Sequence, residues 1–482
     1  MSDFESEKDL SPLDEDETKP GRPPEFIVEQ PRAASVVAEA LQRMTATMEV
    51  EDDDTGLLPA QPRSFQQLGL SRAFLTDLAL KIIHYSGTPT AAQISRRMGI
   101  SSSLIQQLLS MLSEEKVLEP MGQADLYSGS YRYRLTARGT ERVQEALERS
   151  RYAGPVPVPV DRYSEVIRRQ VGRRHLPARW RIKESLAGVV LADEVEDAAG
   201  RALYSGRSAL LYGPSGNGKT SIFQSFTEHI DGITIMPYAI YAHGQVIRVF
   251  DPTIHLQADD AEAEANTRED RFDHRWVVIR RPVILVGPEL NLDTLDLAYD
   301  PLTRFYQAPP QIKAQGGVLI IDDLGRQKVE APVVLSRLLI PLERGWDTLT
   351  LATGEKVTLP LSLQFLFGTN LAVNSLADDS MLRRIPYKVE IPSPGSQEFT
   401  EILGRLLQEW HIEASQESVS QVVEKLYSQS DIEPRAAHAG DLLQIIVESA
   451  QFDGRQPVLD VESFEKALNL FVMERKKFAS GS

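Results

Sequence analysis

The chain has 482 residues, of which 42% are hydrophobic and 25% charged, and it contains no cysteine. A chain of this length forms about two to four domains with substantial cores. The lack of cysteine excludes disulfide scaffolds, thiolate nucleophiles and cysteine-ligated zinc. The eight histidines are scattered without an HExxH pair, so no histidine metal site is expected. The net charge is −17, of which residues 1–60 contribute −11 through 16 acidic and 5 basic residues.

The N-terminal stretch 1–62 is rich in Asp, Glu, Pro and Ser. Such a composition buries too little apolar surface to offset the entropy of ordering, so we expect a disordered acidic tail with one short helix over 33–49. A docking peptide is the alternative interpretation. The acidic N-terminus does not resemble a secretory signal, and no apolar run approaches the ~18 residues that span a bilayer. We therefore expect a cytoplasmic protein without membrane insertion.

Residues 63–150 are predicted to form the first compact domain. Apolar residues recur at helical spacing in 74–83 and 101–116, with a short helix at 90–98 between them. Two strands around a Gly-containing wing and a helix from Ala137 follow. This order of elements resembles a winged helix-turn-helix domain.

The function of this domain stays open at the level of sequence. The second helix of such a motif meets the major groove of DNA, yet the first residues of 101–116 are Ser and Gln rather than Lys or Arg. Residues 61–150 carry 11 basic and 8 acidic residues, a net charge of only +3, whereas a strong DNA-binding domain is usually more basic. DNA binding and protein docking are therefore both retained.

A linker with a basic segment occupies 151–183. Pro and Val alternate in 155–160, which predicts an extended, semi-rigid spacer. Residues 161–183 then carry eight basic and two acidic residues, a net charge of +6. This segment is interpreted as a solvated helical face, with contact to nucleotide, nucleic acid or the acidic tail as the alternative.

The strongest motif is a phosphate-binding loop. Its sequence GPSGNGKT fits GxxxxGK[ST] and lies between an apolar strand at 208–212 and a predicted helix at 221–230, the context that the motif requires. Glycines let backbone N–H groups wrap around phosphates, and the helix N-terminus adds positive potential. Lys219 is expected to reach the β- and γ-phosphates, and the Thr220 hydroxyl to ligate Mg²⁺. The predicted nucleotide-binding residues of the loop are Gly213, Pro214, Ser215, Gly216, Asn217, Gly218, Lys219, Thr220 and Ser221.

Two further apolar strands end in polar side chains. The run 318–321 ends in Asp322 and Asp323. Because ligands bind at the carboxyl ends of parallel strands, Asp322 is expected to hold Mg²⁺ through water, and Asp323 to act as the general base for the attacking water. The run 363–369 ends in Asn370, whose amide is suited to orienting that water. Arg383 and Arg384 follow; taken alone, such a pair is usually a solvated surface.

These four blocks, in this order, resemble the AAA+ ATPase superfamily: Walker A, Walker B, sensor 1 and an arginine-finger box. The resemblance covers about 184–478 and implies an α/β fold, in which a parallel-sheet P-loop core carries an α-helical lid. The winged-helix domain and the disordered acidic N-terminus precede it. The implied boundaries are 184–392 for the core, 231–315 for an insert within it and 393–478 for a lid whose helices are expected at about 396–411, 415–429, 438–451 and 461–477.

Two features narrow the resemblance. The run QIKAQGGVLIIDD resembles the Walker B region of MoxR, magnesium chelatase and enhancer-binding AAA+ proteins. A hairpin predicted at 347–359, directly before sensor 1, is similar to that of the pre-sensor 1 hairpin group, whose members commonly assemble as rings that remodel proteins or nucleic acids. The whole chain is also similar to a group of bacterial ATPases with an N-terminal winged helix.

The resemblance implies further roles. ATP and Mg²⁺ are the implied nucleotide and metal, and Arg383 and Arg384 are implied to act on the nucleotide of a neighbouring subunit in a homo-oligomer, commonly a hexameric ring. Arg435 is the nearest candidate for a sensor 2 arginine, although it lies several residues before the usual position. Asp323 stands where most of these enzymes have Glu, and the shorter carboxylate implies slow turnover.

The insert 231–315 is longer than an ordinary connection between a strand and a helix. It contains a predicted hairpin at 238–250, an acidic loop at 259–269 and a strand at 276–286. Four aromatic residues are interpreted either as packing the insert onto the core or as lining a central pore. These residues are Tyr238, Tyr241, Phe305 and Tyr306.

Three functions follow from this organisation. The first is an ATP-hydrolysing ring that remodels a protein partner or assembly, with the winged helix as adaptor. The second is a DNA-associated ATPase or regulator that uses the winged helix on duplex DNA. The third is a nucleotide-dependent assembly switch with slow turnover. The uncharged start of the helix at 101–116 favours the first over the second.

Overall fold

The computed structural model describes residues 59–123, 131–171, 179–258, 272–429 and 433–479. All of them belong to one compact unit of the chain, Val50–Ser482. Residues 1–58 of the tail predicted at 1–62, with its short helix, and the acidic loop at 259–269 lie outside the described residues. The last part of that tail is ordered, which differs from the prediction: Ala60 pairs with Phe272, and the carbonyl of Pro59 accepts from the N–H of Asp273 at 2.9 Å. Among the residues that are described, no helix has the length and apolar character needed to cross a bilayer.

The N-terminal domain, 63–150, has the predicted order of elements. Ser71 and Thr90 cap two of its helices, and Thr90 forms a reciprocal capping box with Gln93. Leu and Ile side chains from the helices form one buried cluster. The elements are α1 (Phe65–Leu68), α2 (Arg72–Ser86), α3 (Ala91–Met98), α4 (Ser102–Glu114), the antiparallel pair β1 (Leu118–Gln123) and β2 (Tyr131–Leu135), and α5 (Ala137–Arg149).

The linker is part of a sheet, which differs from the predicted spacer. Val158–Pro159 forms strand β3, which pairs in parallel with β6 (Ala239–Ala242) of the insert. The pairing places Val158 opposite Ile240. The Pro-Val pattern is compatible with both an extended spacer and an edge strand, because Pro is tolerated at the edge of a sheet. The sequence pattern therefore does not distinguish the two. Helices α6 (Val160–Val171) and α7 (Arg179–Leu186) then lead to α8 (Asp193–Tyr204).

The insert builds two small sheets. The predicted hairpin is present, and it turns at His243 and Gly244, both with positive φ as a two-residue hairpin turn requires. The strands are β5 (Ile233–Pro237), β6, β7 (Gln245–Arg248), β8 (Trp276–Arg280), β10 (Ala298–Asp300) and β11 (Phe305–Gln307). One sheet has the order β10-β11-β7-β6-β3, and the other pairs β5 with β8 in antiparallel orientation.

The strand predicted at 276–286 is two strands. Strand β8 ends at Arg280, and β9 (Val283–Val286) starts after Pro282, which lacks the N–H needed to continue a ladder. Strand β9 belongs to the central sheet, where Val283 lies opposite Val318. The insert is therefore interrupted by a core strand and is not one continuous addition at 231–315.

The insert and the N-terminal domain share buried contacts. Asp273 and Arg275 form an ion pair in which each side chain is only 1% exposed, and Arg275 Nη1 donates to the carbonyl of Leu68. The ring of Tyr241 lies 4.7 Å from that of Phe74. These contacts support packing, rather than a pore lining, for Tyr241.

The other three aromatic residues of the insert are also packed. Phe305 lies edge-on to Tyr152 of the linker, with ring centroids 5.7 Å apart. Tyr306 is buried, and its hydroxyl accepts a hydrogen bond from the N–H of Ala352 at 2.9 Å. Tyr238 packs against Phe250 within the insert.

The central sheet is parallel. Its strands lie in the order β16 (Tyr387–Glu390), β4 (Ala209–Tyr212), β15 (Gln364–Thr369), β12 (Val318–Ile321) and β9. Its strands are short apolar runs, as expected for a sheet covered on both faces; for example, Ala209, Leu210 and Leu211 of β4 are fully buried. Helix α9 (Lys219–Glu228) follows β4, so the loop between them lies at the carboxyl edge of the sheet.

Short elements connect these strands. A hairpin lies where it was predicted, and its buried Asp347 accepts from Arg337 Nη1 at 2.7 Å. The hairpin strands are β13 (Trp346–Thr350) and β14 (Lys356–Pro360), and the short helices are α10 (Pro310–Lys313), α11 (Ala331–Arg337), α12 (Leu339–Arg344), α13 (Val373–Leu376) and α14 (Asp379–Leu382).

Four helices form the C-terminal part, close to their predicted positions. They enclose a separate apolar cluster that includes Phe399, Leu443 and Phe464. Two short strands, β17 (Glu413–Ala414) and β18 (Val458–Leu459), pair in parallel beside them. The helices are α15 (Ser396–Glu409), α16 (Gln416–Gln429), α17 (Ala436–Phe452) and α18 (Val461–Ala479).

Candidate nucleotide-binding site

The phosphate-binding loop connects β4 to α9 at the carboxyl edge of the central sheet. Gly213, Gly216 and Gly218 have φ of 138°, 84° and 87°, a region that side chains rarely adopt. A Cβ on Gly213 would lie 2.3 Å from the carbonyl oxygen of Ile391. Glycine is therefore required at these positions for the loop to curl. Of the other predicted loop residues, Ser215, Thr220 and Ser221 are exposed, and Pro214 is half-buried.

Lys219 begins α9 and is buried under the loop, with 6% of the residue exposed. Its ammonium donates to the carbonyl oxygens of Gly213 and Pro214, each at 2.8 Å. Burial lowers the pKa of Lys219, while the charges of Asp322 and Asp323 oppose that shift. The nearby carboxylates thus help to keep the ammonium charged, as phosphate binding requires.

Thr220, in the first turn of α9, contacts Asp322, which directly follows β12. The Thr220 hydroxyl donates to Asp322 Oδ2 at 2.5 Å, and Asp322 Oδ1 accepts from the N–H of Asp323 at 2.9 Å. Hard oxygen donors from one or two side chains, completed by phosphate and water, are the usual protein ligands of Mg²⁺. This pair of oxygens fits that requirement.

Gly368 in β15 provides room for the carboxylate of Asp322. A Cβ at this position would lie 2.2 Å from Asp322 Oδ1 and 3.0 Å from the ring of Phe223. Position 368 of β15 therefore requires glycine, because it lies against the side chain of the candidate metal ligand Asp322. This requirement was missed in the sequence, where Gly368 was only part of an apolar strand.

Asp323 has a left-handed backbone, with φ of 49°, which Asp tolerates better than most residues. The amide of Asn370 donates to Asp323 Oδ1 at 3.0 Å. Arg326 Nε lies 3.9 Å from the same oxygen. Arg326 was also missed in the sequence, although a basic residue three positions after a carboxylate in a turn was a feature that pointed to it.

The C-terminal helices contact the phosphate-binding loop through the start of α17. Arg435 Nη1 lies 3.4 Å from the carbonyl oxygen of Ser215, and the N–H of Ala437 donates to the carbonyl of Gly216 at 2.8 Å. The structure thus brings Arg435 to the loop despite its early position in the sequence.

Asn217 links the loop to the same region. Its side chain is buried, accepts from the N–H of Ala436 at 3.4 Å and donates to Ser393 Oγ at 3.4 Å. Position 217 is a variable position of the GxxxxGK[ST] motif, so the motif alone did not predict this contact.

Arg383 and Arg384 differ in environment. Arg383 is exposed, and its side chain has no hydrogen-bond or ion-pair partner within the described ranges. Arg384 has a side chain only 15% exposed, pairs with Glu343 Oε2 at 3.2 Å and donates to the carbonyl of Ser380. Neither guanidinium donates to the phosphate-binding loop, Asp322 or Asp323 within the described part of the same chain.

Comparisons with known proteins add three findings. Residues 395–470 match the family described as a domain of unknown function, DUF8689. No curated protein matches the sequence. Solved structures with similarity include the RuvB Holliday junction branch migration motor of Thermotoga maritima, at 13% identity and TM-score 0.33, over 61% of this chain and 69% of that chain. NtrX from Brucella abortus in complex with ADP has 10% identity and TM-score 0.36, over 68% of this chain and 65% of that chain.

Proposed function

We propose that this chain is an AAA+ ATPase that binds and hydrolyses ATP with Mg²⁺. The observation that carries this proposal is the 2.5 Å contact between the Thr220 hydroxyl and Asp322 Oδ2. It joins a phosphate-binding loop to the carboxyl end of a buried parallel strand, which is where such sheets bind ligands. The Asn370–Asp323 hydrogen bond at the adjacent strand end supplies the groups that hydrolysis needs.

Each side chain has a role in this proposal. The loop amides and Lys219 hold the phosphates, and Thr220 and Asp322 hold Mg²⁺. The metal, when bound, offsets negative charge on the phosphate oxygens. Asp323 accepts a proton from the attacking water, and Asn370 orients Asp323 and that water. Positioning and charge stabilisation of this kind account for most of the catalysis in phosphoryl transfer.

Arg383 is the proposed arginine finger, and it acts in a neighbouring subunit. The Arg383 side chain is exposed and has no partner among the described residues, which supports a contact with another subunit. Arg384, by contrast, forms an ion pair with Glu343 of the same chain. We therefore assign the contact between subunits to Arg383 and a supporting role to Arg384. Such a site is completed only in a homo-oligomer, for which a hexameric ring is proposed from the superfamily resemblance.

Arg435 is proposed as the residue that reports nucleotide state to the C-terminal helices, the proposed lid. Its guanidinium lies against Ser215 of the loop, so a change in the loop alters a contact of α17. Remodelling of a protein partner is the proposed output. The winged-helix domain is proposed as the adaptor, since the exposed residues at the start of α4, Ser102 and Ser103, are uncharged.

A slow-turnover switch is the second candidate function. It is favoured by Asp323, whose carboxylate is one methylene shorter than Glu and whose Oδ1 already faces both Asn370 and Arg326. Under this alternative the chain assembles with ATP and hydrolyses it slowly. Asp323→Glu would then raise turnover in the assembled protein.

The test measures phosphate release by the full-length protein with ATP, with and without Mg²⁺. Wild type is expected to hydrolyse ATP in a Mg²⁺-dependent manner, and Lys219→Ala is expected to lose both nucleotide binding and hydrolysis. Lys328→Ala, which removes an exposed lysine near the site, is the matched control. Equal hydrolysis by wild type and Lys219→Ala, or wild type that binds no adenine nucleotide, would contradict the proposal.

A further inference from the structure

The turn after Asp323 carries a cation that has no role in the function proposed so far. The turn is closed by the backbone N–H of Arg326, which donates to the carbonyl of Asp323 at 2.9 Å. The guanidinium Nε lies 3.9 Å from Asp323 Oδ1, the oxygen that also accepts from Asn370. Arg326 is thus directed toward the carboxylate that is proposed to activate water.

The backbone beneath Arg326 is fixed. The buried amide of Gln327 donates to the carbonyl oxygens of Asp322 at 3.2 Å and Gly287 at 3.3 Å, and it accepts from the N–H of Gly325 at 2.8 Å. Gly325 has φ of 103°, and a Cβ there would lie 2.4 Å from Cδ1 of Leu371. The turn is therefore held to the sheet edge in one conformation.

The Arg326 side chain, by contrast, is loosely held. It is 59% exposed, and 3.9 Å is longer than a hydrogen bond between a guanidinium and a carboxylate. An exposed ion pair of this length contributes little to stability. The guanidinium can therefore leave Asp323 with little loss, while its Cα stays at the edge of the site.

Arg326 lies close to the phosphate-binding region. Its Nε is 3.9 Å from Asp323 Oδ1, and the preceding residue, Asp322, accepts a hydrogen bond from Thr220 in the first turn of α9. Asp323 would place a negative charge beside a terminal phosphate, and a cation on the same turn offsets that repulsion. A γ-phosphate brings charge to this end of the site that a nucleoside diphosphate lacks.

We propose that Arg326 is a ligand of the γ-phosphate, supplied by the same chain, and that it distinguishes nucleoside triphosphate from nucleoside diphosphate. This proposal rests on the nucleotide site proposed above. When ATP binds, the guanidinium moves from Asp323 Oδ1 to a γ-phosphate oxygen. Asp323 is then left with Asn370 as its partner and with an oxygen open to the attacking water.

The test compares affinities for AMP-PNP and ADP, each with Mg²⁺, by isothermal titration calorimetry on the full-length protein. Arg326→Gln is expected to weaken AMP-PNP binding by about tenfold, the scale of one charge-assisted contact, and to leave ADP binding within about twofold. Arg326→Lys, which keeps the charge, is expected to recover part of the loss. Lys328→Gln makes the same charge change at an exposed position two residues further on and is expected to leave both affinities unchanged.

Three results would overturn this inference: equal weakening of both nucleotides, no change in Arg326→Gln, or the same loss in Lys328→Gln. Arg326→Met, which keeps the aliphatic stem, provides a second neutral variant if Arg326→Gln does not fold. Wild type that binds neither nucleotide would overturn the nucleotide site as well. Wild type that binds both, with Arg326→Gln unaffected, would overturn the role of Arg326 alone.

Discussion

The side-chain amide of Asn370 lies 3.0 Å from Asp323 Oδ1, although 47 positions separate the two residues in the chain. Each residue follows one of two adjacent parallel strands, β15 and β12, whose pairing sets Ile321 opposite Phe367. The sheet register therefore fixes this contact before any ligand binds. A carboxylate positioned in this way needs little reorganisation to receive a proton from water.

Thr220→Ala should remove the hydroxyl that is proposed to ligate Mg²⁺. We expect kcat to fall by about tenfold or more and the Mg²⁺ concentration for half-maximal activity to rise. Thr220→Ser keeps the hydroxyl and should stay close to wild type. A magnesium titration of phosphate release measures both effects, and equal activity of the Ala and Ser variants would argue against a ligand role for Thr220.

Arg383→Ala should lower kcat by about 10³-fold or more without loss of ATP binding, because a finger acts on charge that develops during transfer. Mixed oligomers of Arg383→Ala and Lys219→Ala subunits should regain part of the activity, since some interfaces then combine an intact loop with an intact arginine. Phosphate release over a range of mixing ratios measures this. Activity that stays absent at every ratio would contradict action between subunits.

Arg384→Ala should have a different effect. The residue pairs with Glu343, which is partly exposed, so its loss should lower stability by about 1 kcal/mol or less. We expect a modest fall in the unfolding midpoint and a smaller loss of kcat than in Arg383→Ala. A loss of kcat as large as that of Arg383→Ala, in a protein of unchanged stability, would mean that both arginines reach the nucleotide.

Gly368→Ala should displace Asp322, because the new Cβ would lie 2.2 Å from Oδ1 in a tightly packed strand. We expect Mg²⁺-dependent hydrolysis to be lost and stability to fall by about 1–3 kcal/mol from overpacking. Gly404→Ala in α15 is the matched control, since a Cβ at that position would point into open space. That variant should gain up to about 1 kcal/mol from helix propensity. Chemical unfolding and phosphate release on both variants provide the check, and normal activity in Gly368→Ala would contradict the packing argument.

His255 should make stability sensitive to pH. It is buried, its Nδ1 accepts from the N–H of Asp251 and its Nε2 lies 2.9 Å from the carbonyl oxygen of Lys313. Burial lowers the pKa of His255 in the folded state, although the Lys313 carbonyl and Asp251 oppose the shift. The unfolded chain titrates near 6.5, so it takes up a proton below that pH while the folded His255 stays neutral.

Stability should therefore be complete above about pH 6.5 and fall as the pH drops below that value on account of His255. Urea unfolding at about pH 7.5, 6.5 and 5.5 measures this slope. His255→Gln should be less stable throughout but should show a shallower slope across the same range. An unchanged slope in the variant would assign the acid sensitivity to other groups.

The parts of the site that lie next to strand ends could be predicted from the sequence. Asp322 and Asn370 each lie just beyond an apolar run, and Lys219 and Thr220 follow such a run after the phosphate-binding loop. The rules of parallel sheets bring these strand ends together. The approach of Arg435 to Ser215 depends instead on how α17 docks on the loop, which the positions of strand ends do not predict. The α/β fold with a parallel sheet was implied by the AAA+ resemblance, and three of its strands are the apolar runs seen in the sequence.

The remaining features depend on contacts between distant segments. Val158 pairs with Ile240, which is far away along the chain, and no local pattern distinguishes that edge strand from a spacer. Arg383 and Arg384 are adjacent residues of the same type, so the sequence does not distinguish their roles. The structure distinguishes them because only Arg384 forms an ion pair with Glu343 within the described residues. The roles of Gly368 and Arg326 follow from their contacts with other residues: position 368 lies against the Asp322 side chain, and Arg326 faces Asp323 across a turn. Residue type alone does not predict these contacts.

Strand β3 limits how far the N-terminus of this protein can be truncated. A truncated chain that starts near residue 184 would lack β3, and β6 would become an exposed edge strand of its sheet. It would also uncover Ala239, Val246 and Phe305, which are buried in the same cluster as the N-terminal domain. Exposed edge strands next to apolar surface promote self-association. A shortened form of the proposed ATPase region should therefore retain β3 and the N-terminal domain.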